Sequence, residues 1–269
     1  MYILSKNMAP LVFIIDIDGT IIGNITNQIM IYELKYEHVN IKYSLKDLFN
    51  KFDQGLIRPY FDTFVKSTKR RLPHAEFFFY TASEDRWGAF IAGAIEKYYK
   101  LQFNRPIFTR KHCFHTDMDL KKSLKHITPM IQKSLQKNYG KHIDLTNRVL
   151  IVDNNMVYQC NEKNSVLVCP TYNISIAENL PVFINEDMFN AHKHVIEKKL
   201  KRYIPTITTV TSYIDFQRQF YAYYIHELSL TKPQDRFWFF LNRLLEIKNI
   251  TIFTPKAVEY IKMKLNKRL

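Results

Sequence analysis

The chain has 269 residues, of which 46% are hydrophobic and 24% charged, a balance typical of a folded globular protein. Its 20 Phe and 17 Tyr supply enough apolar surface for a sizeable core, which excludes a fully disordered chain. The formal net charge of +14 favours a polyanionic partner such as nucleic acid, phosphorylated protein or anionic lipid, although an AT-rich genome would enrich lysine equally well.

The chain contains 3 cysteines, Cys113, Cys160 and Cys169, which form no C-x-x-C pair and are odd in number. Neither a disulfide framework nor a zinc site is therefore expected, and a reducing compartment, cytoplasmic or nuclear, fits this composition. The segment MYILSKNMAP lacks a signal-peptide pattern, because the apolar run after it carries two aspartates. No stretch is long and uncharged enough to predict a membrane span.

Short apolar runs predict the buried strands of a parallel sheet, with helical patterns between them. The predicted strands are Leu11–Ile17, Glu76–Tyr80, Val149–Val152 and an edge strand, Ser165–Cys169, which Pro170 stops. The predicted helices cover residues 58–72, 85–103 and 119–138, the last with a kink near Pro129. Strands that alternate with helices predict an α/β fold with a central parallel sheet flanked by helices.

The composition of the chain changes along its length. All 6 glycines precede residue 141, and long polar-aromatic helical patterns follow residue 181. We predict a core over residues 1–180 with a small insertion at about 24–55, and a mainly helical C-terminal extension over 181–269.

Polar groups follow three of the predicted strands, and in a parallel sheet these ends meet at one edge. They are Asp16-Ile17-Asp18-Gly19-Thr20, Thr81-Ala82-Ser83 and Asp153-Asn154-Asn155. One carboxylate can attack phosphorus, and a second can exchange a proton with the leaving group. Asp and Asn oxygens suit Mg²⁺, and a lysine can neutralise charge on a phosphoryl group. Together these groups indicate phosphoryl transfer.

Taken singly, the same residues have simpler explanations. Asp16 and Asp18 could form a capped turn after a strand, and Thr81 could be a buried hydroxyl. Lys122 could lie on a solvated helix face, and Asp153 with Asn154 could form an Asx turn.

The motif Asp-x-Asp-Gly-Thr after a hydrophobic strand resembles motif I of the haloacid dehalogenase superfamily. The segments "IRPYFDTFV", "FFFYTASEDRWG", "FTRKHCFHTDMDLKKSL" and "RVLIVDNNMVY" follow in the order found in the RNA polymerase II CTD phosphatases, the FCP/SCP-like or NLI-interacting-factor-like branch. The resemblance covers roughly residues 11–170. It implies a haloacid dehalogenase-like Rossmannoid core and a Mg²⁺-dependent phosphomonoester hydrolase that forms an aspartyl-phosphate.

The resemblance also implies roles for three residues of the first two motifs. Asp16 is expected to be the nucleophile and a Mg²⁺ ligand. Asp18 is expected to be the general acid and base, and its backbone carbonyl would also reach the metal. Thr81 is expected to bind the phosphoryl group.

The last two motifs supply the remaining residues of the expected site. Lys122 aligns best with the motif III lysine, although the adjacent Lys121 fits nearly as well. Asn154 is expected to be a direct metal ligand, and Asp153 a ligand or its supporting partner. One departure is Asn155, which stands where the family usually has a small serine.

The resemblance favours a protein serine/threonine phosphatase whose partner is a phosphorylated protein, the RNA polymerase tail among them. A nucleotide or nucleic-acid 3′-phosphate is the alternative substrate, since the net charge of +14 suits it too. A binding scaffold of the same fold is a further alternative, against which the intact Asp16 and Asp18 argue. The Ile, Lys, Asn and Tyr bias indicates a large DNA virus, and hence the host cytoplasm, or an AT-rich protist.

Overall fold

The computed structural model describes residues 9–115, 120–158, 160–229 and 235–268. Within them the strands are β1 (Leu11–Ile15), β2 (Ala75–Phe79), β3 (Phe114–His115), β4 (Leu120–Lys121), β5 (Val149–Asp153) and β6 (Val166–Val168). The helices are α1 (Thr26–Tyr36), α2 (Leu45–Lys51), α3 (Phe61–Arg71), α4 (Asp85–Tyr99), α5 (Leu124–Tyr139), α6 (Leu180–Phe183), α7 (Glu186–Tyr203), α8 (Tyr213–Ser229), α9 (Phe237–Ile247) and α10 (Pro255–Asn266).

The main sheet is parallel, and its strand order is β2-β1-β5-β6. In the register of the ladder, Ile15 lies beside Phe79 on one side and beside Val152 on the other. The carboxyl ends of β1, β2 and β5 therefore lie together at one edge of the sheet. The predicted α/β fold is confirmed.

Helices pack on both faces of this sheet because β1 is apolar along its whole length. Every residue of β1 is buried, as expected for a central parallel strand. Val12 and Ile14 pack in one cluster with Ile131 of α5. Phe13, which points to the opposite face, lies 5.7 Å from Phe64 of α3 between ring centroids.

The structure corrects two predicted boundaries near the strand ends. Strand β1 ends at Ile15 and not at Ile17, because the chain has already turned: the Ile17 carbonyl accepts the N–H of Ile21 at 2.9 Å. Helix α5 begins after Ser123, whose hydroxyl accepts the N–H of His126, and continues through Pro129 to Tyr139. The other predicted strands and helices agree to within a few residues.

The chain forms two compact units, and the sheet belongs to the first. Its described residues extend up to Ile21, from Arg58 to Tyr172 and from Asp235 onwards, so α9 and α10 belong with the sheet. The second unit consists of Ile22–Ile57 and of the described residues 173–229. The predicted division at residue 180 stays a prediction.

The second unit is helical and contains α1, α2, α6, α7 and α8. Two carboxylates, the buried Glu178 and the half-buried Glu33, connect its segments. Glu178 accepts a hydrogen bond from the Tyr43 hydroxyl at 2.7 Å, and Glu33 of α1 pairs with Lys199 of α7 at 2.7 Å. Across the described residues, no helix has both the length and the apolar character that crossing a bilayer requires.

Candidate active site

A buried lysine lies between two aspartates at the carboxyl edge of the sheet. The Lys122 Nζ donates to Asp16 Oδ1 at 2.6 Å and to Asp153 Oδ2 at 2.8 Å. Asp16 directly follows β1 and Asp153 is the last residue of β5, so the parallel register brings the two carboxylates together. All three side chains are buried: the exposed fraction is 5% for Asp16, 3% for Lys122 and 1% for Asp153.

Lys122 reaches this cluster from an extended segment, and the alternative of a solvated helix face is wrong. Its backbone forms a parallel bridge with Tyr158, and its N–H donates to the Val157 carbonyl at 3.0 Å. The adjacent Lys121 is the last residue of β4 and pairs with Phe114 of β3. The structure therefore brings Lys122 to the carboxylates.

Asp18 is held by two hydroxyl groups from the turn that follows β2. Thr81 Oγ1 donates to Asp18 Oδ2 at 2.8 Å, and Ser83 Oγ donates to the same oxygen at 2.7 Å. The predicted phosphoryl-binding residue thus lies beside the predicted acid. Ser83 belongs to the Thr81-Ala82-Ser83 segment, but the sequence motifs assign no role to it.

Thr20 connects the end of β1 to the end of β5. Its hydroxyl donates to Asp16 Oδ2 at 3.0 Å and accepts the backbone N–H of Asn154 at 3.0 Å. Asn154 is half-buried, and Asp153 Oδ1 accepts the N–H of Asn155 at 2.8 Å. The Asx-turn contact weighed for Asp153 is therefore present, and the same side chain also contacts Lys122.

Gly19 makes the close approach between these loops feasible. Its φ of +74° lies in the left-handed region that side chains disfavour, and a Cβ at this position would stand 2.6 Å from Asn154 Nδ2. A larger residue would push Asn154 away from the end of β1.

Arg58 is a further residue of the site region to which the sequence analysis gave no role. It is fully buried and pairs with both oxygens of Asp235, at 2.8 and 2.7 Å. Its Nη1 donates to the Thr20 carbonyl at 3.2 Å. The sequence signal was the Arg-Pro pair in "IRPYFDTFV", but its partner lies 177 positions away.

The buried cluster carries more negative than positive charge. Burial raises the pKa of Asp16, and the charges of Asp153 and Asp18 add to this against the opposing effect of Lys122. Burial alone would lower the pKa of Lys122, but the two carboxylates outweigh it and raise that pKa, so the ammonium form is held. One ammonium does not balance these carboxylates.

The donor chemistry of the cluster fits Mg²⁺. Hard carboxylate and amide oxygens from Asp16, Asp153 and Asn154 lie at adjacent strand ends, and their excess negative charge favours a cation. In the part of the chain that the structure describes, no group of three or more His, Cys, Asp or Glu side chains is arranged to hold a metal. A cation here would therefore depend on amide and backbone oxygens as well as carboxylates.

Comparison with known protein families identifies the family of the chain. Residues 11–179 match the family model described as NLI interacting factor-like phosphatase. That span includes β1, β2 and β5 and all the predicted site residues. The chain is thus one of the haloacid dehalogenase-like phosphatases. Within them it belongs to the NLI interacting factor-like phosphatase family, so the predicted family is confirmed.

Two solved structures show more distant similarity. The fission yeast RNA polymerase II CTD phosphatase Fcp1, an arginine-to-alanine variant bound to beryllium fluoride, is 16% identical with a TM-score of 0.46. The match covers 88% of this chain and 62% of that chain, less than two thirds of its length. A structure of Fcp1, described as an essential RNA polymerase II CTD phosphatase, is 14% identical with a TM-score of 0.39. That match covers 94% of this chain and 69% of that chain. No curated protein matches the sequence.

Proposed function

We propose that this protein is a Mg²⁺-dependent phosphomonoester hydrolase that forms an aspartyl-phosphate on Asp16. The observation that carries the proposal is the buried contact of Lys122 with Asp16 and Asp153, at 2.6 and 2.8 Å, where β1 and β5 end. Membership of a phosphatase family supports the same reaction. A binding scaffold would have no need of a second carboxylate, Asp18, held beside this cluster.

The proposed reaction has two steps. A carboxylate oxygen of Asp16 attacks phosphorus while the phosphoester P–O bond breaks, and Asp18 gives its proton to the leaving oxygen. Asp18 then takes a proton from water as the water oxygen attacks phosphorus. The bond between Asp16 and phosphorus breaks, and inorganic phosphate leaves. Lys122 offsets the negative charge of the phosphoryl group in both steps.

The proposed metal ligands are Asp16, the backbone carbonyl of Asp18, and Asn154, with Asp153 as a ligand or as support. A bound Mg²⁺ supplies positive charge that stabilises the phosphoryl oxygens. Thr81 is proposed to bind the phosphoryl group with its hydroxyl, whose one hydrogen goes to Asp18 in this structure and would turn to a phosphoryl oxygen when substrate binds.

The first experiment measures hydrolysis of para-nitrophenyl phosphate by the full chain with Mg²⁺. Asp16→Asn is expected to lower the rate by more than about a thousandfold, because the amide cannot act as nucleophile. Asp187→Asn is the matched control, since Asp187 is an exposed residue in the first turn of α7. Chelation of the metal should abolish the rate and added Mg²⁺ restore it. Equal rates for the native chain and Asp16→Asn would refute the proposal.

For the substrate, we propose phosphoserine or phosphothreonine in protein, the RNA polymerase tail among the candidates. The order of the four sequence motifs supports this. A nucleic-acid 3′-phosphate is the second candidate, favoured by the net charge of +14. A panel of phosphopeptides and 3′-phosphorylated oligonucleotides separates the two, and higher kcat/KM for the oligonucleotides would reject the protein substrate.

The proposed location is a reducing compartment, cytoplasm or nucleus, or the host cytoplasm for a viral protein. Cys113 and Cys169 are buried free thiols, which supports this proposal.

A further inference from the structure

The two oxygens of the Asp18 carboxylate have different surroundings. Oδ2 accepts hydrogen bonds from both Thr81 and Ser83, at 2.8 and 2.7 Å. Oδ1 is buried, and among the described residues no group forms a hydrogen bond to it. The Asp18 carboxyl group is therefore anchored through one of its oxygens, and its orientation depends on these two hydroxyl groups.

The backbone of the turn after β2 fixes both hydroxyl groups. The Ser83 N–H donates to Thr81 Oγ1 at 3.0 Å, so the hydroxyl hydrogen of Thr81 is left to point at Asp18. The Ser83 carbonyl accepts the N–H of Arg110 at 2.9 Å, and Arg110 Nε donates to the Ala82 carbonyl at 2.9 Å. Hydrogen bonds at both its N–H and its carbonyl therefore hold the backbone of Ser83 in place.

We propose that Ser83 is a positioning residue for the general acid Asp18, an inference that rests on the proposed phosphatase reaction. Ser83 fixes the orientation of the Asp18 carboxyl group, also when the hydroxyl of Thr81 turns to the phosphoryl group, so that this carboxyl group gives its proton to the leaving oxygen as the P–O bond breaks. In the second step the same carboxylate takes the proton from the attacking water. Ser83 touches neither phosphorus nor the leaving group and acts through Asp18.

The role of Ser83 predicts a dependence on the leaving group that a purely structural role would not produce. Phenol has a pKa of about 10, so phenolate needs a proton as it leaves, whereas the far more acidic dinitrophenol leaves readily as an anion. Loss of acid positioning should therefore slow phenyl phosphate strongly and dinitrophenyl phosphate little.

The experiment measures kcat/KM of the full chain with dinitrophenyl, para-nitrophenyl and phenyl phosphate, since this ratio reports the steps up to P–O cleavage. Ser83→Ala is expected to lower kcat/KM about tenfold or more for phenyl phosphate and less than about twofold for dinitrophenyl phosphate. Ser83→Thr keeps the hydroxyl and should keep the native dependence. Ser67→Ala, on α3, is the control for loss of a serine hydroxyl elsewhere.

A double variant tests whether Ser83 acts through Asp18. In the Asp18→Asn background, Ser83→Ala should cause no further loss, because the residue it positions is already disabled. An equal loss for all three esters, additive losses in the double variant, or the same deficit in Ser83→Thr and Ser83→Ala would overturn the inference.

Failure of the underlying reaction looks different. If the native chain and Asp16→Asn hydrolyse dinitrophenyl phosphate equally, the phosphatase proposal fails and the role of Ser83 fails with it. A native chain that depends on Asp16 but gives a uniform effect of Ser83→Ala rejects only the role of Ser83.

Discussion

Gly19 shows how one residue can determine the geometry of the site. Its positive φ and the 2.6 Å approach of Asn154 Nδ2 to a would-be Cβ are two separate constraints. Gly140, at the end of α5, has a similar φ of +69° but open space around the Cβ position. A comparison of alanine substitutions at the two positions therefore distinguishes the effect of backbone strain from the effect of crowding at the site.

We expect Gly19→Ala and Gly140→Ala each to lower the free energy of unfolding by about 1–2 kcal/mol, from the left-handed backbone alone. Only Gly19→Ala should also lower phosphatase activity, about tenfold or more, because it displaces Asn154. Urea unfolding and para-nitrophenyl phosphate hydrolysis measure the two effects. Full activity of Gly19→Ala would show that Asn154 does not need its present position.

Lys122 is the cation that offsets the charge of the two buried carboxylates Asp16 and Asp153. Lys122→Met leaves Asp16 and Asp153 buried without their cation, and we expect a loss of about 3–5 kcal/mol in unfolding free energy together with loss of activity. Lys121→Met is the control, since Lys121 lies in β4 and pairs with Phe114. Urea unfolding and activity assays decide the assignment, and a larger effect of Lys121→Met would reverse it.

Among the elements, the start of α9 is joined to the segment before α3 by an ion pair between the buried Arg58 and the partly buried Asp235. Asp235 accepts the N–H of Phe237 at 3.1 Å, in addition to both contacts from Arg58. Arg58 in turn donates to the Thr20 carbonyl, and the Thr20 hydroxyl contacts Asp16. The pair therefore links a late helix to Asp16 within one unit.

We expect Asp235→Ala to lower the free energy of unfolding by about 3 kcal/mol, because a fully buried guanidinium loses its counterion. Asp62→Ala breaks the exposed Lys66 pair within α3 and should cost no more than about 0.5 kcal/mol. Thermal unfolding of the two variants makes the comparison. Equal stability of both variants would mean that the α9 connection is not stabilising.

At the scale of the whole molecule, the net charge of +14 should act on the encounter with anionic substrates. We expect kcat/KM for an acidic phosphopeptide to fall several-fold as the salt concentration rises from about 0.05 to 0.5 M, because salt screens the attraction. The same change should have a smaller effect on para-nitrophenyl phosphate, which carries less charge. Equal salt dependence for both substrates would show that the charge does not steer binding.

The strands of the main sheet and the residue types at its edge could be predicted from local sequence patterns. Continuous apolar runs are typical of central strands that are buried on both faces, so the predictions Leu11–Ile17 and Val149–Val152 located β1 and β5 to within two residues. Asp16 and Asp18 could be singled out as well, because a capped turn does not require two acids two positions apart after such a run.

Contacts between side chains that are distant in sequence could not be predicted in this way. Lys122 contacts Asp16 across 106 positions and Arg58 contacts Asp235 across 177, distances along the chain at which no local pattern operates. The same holds for Ser83: nothing in the sequence distinguishes its hydroxyl from those of other serines, and the turn after β2 places it in hydrogen-bond contact with Asp18. Local periodicity sets strands and helices, whereas the contacts that orient a carboxylate depend on register and loop geometry.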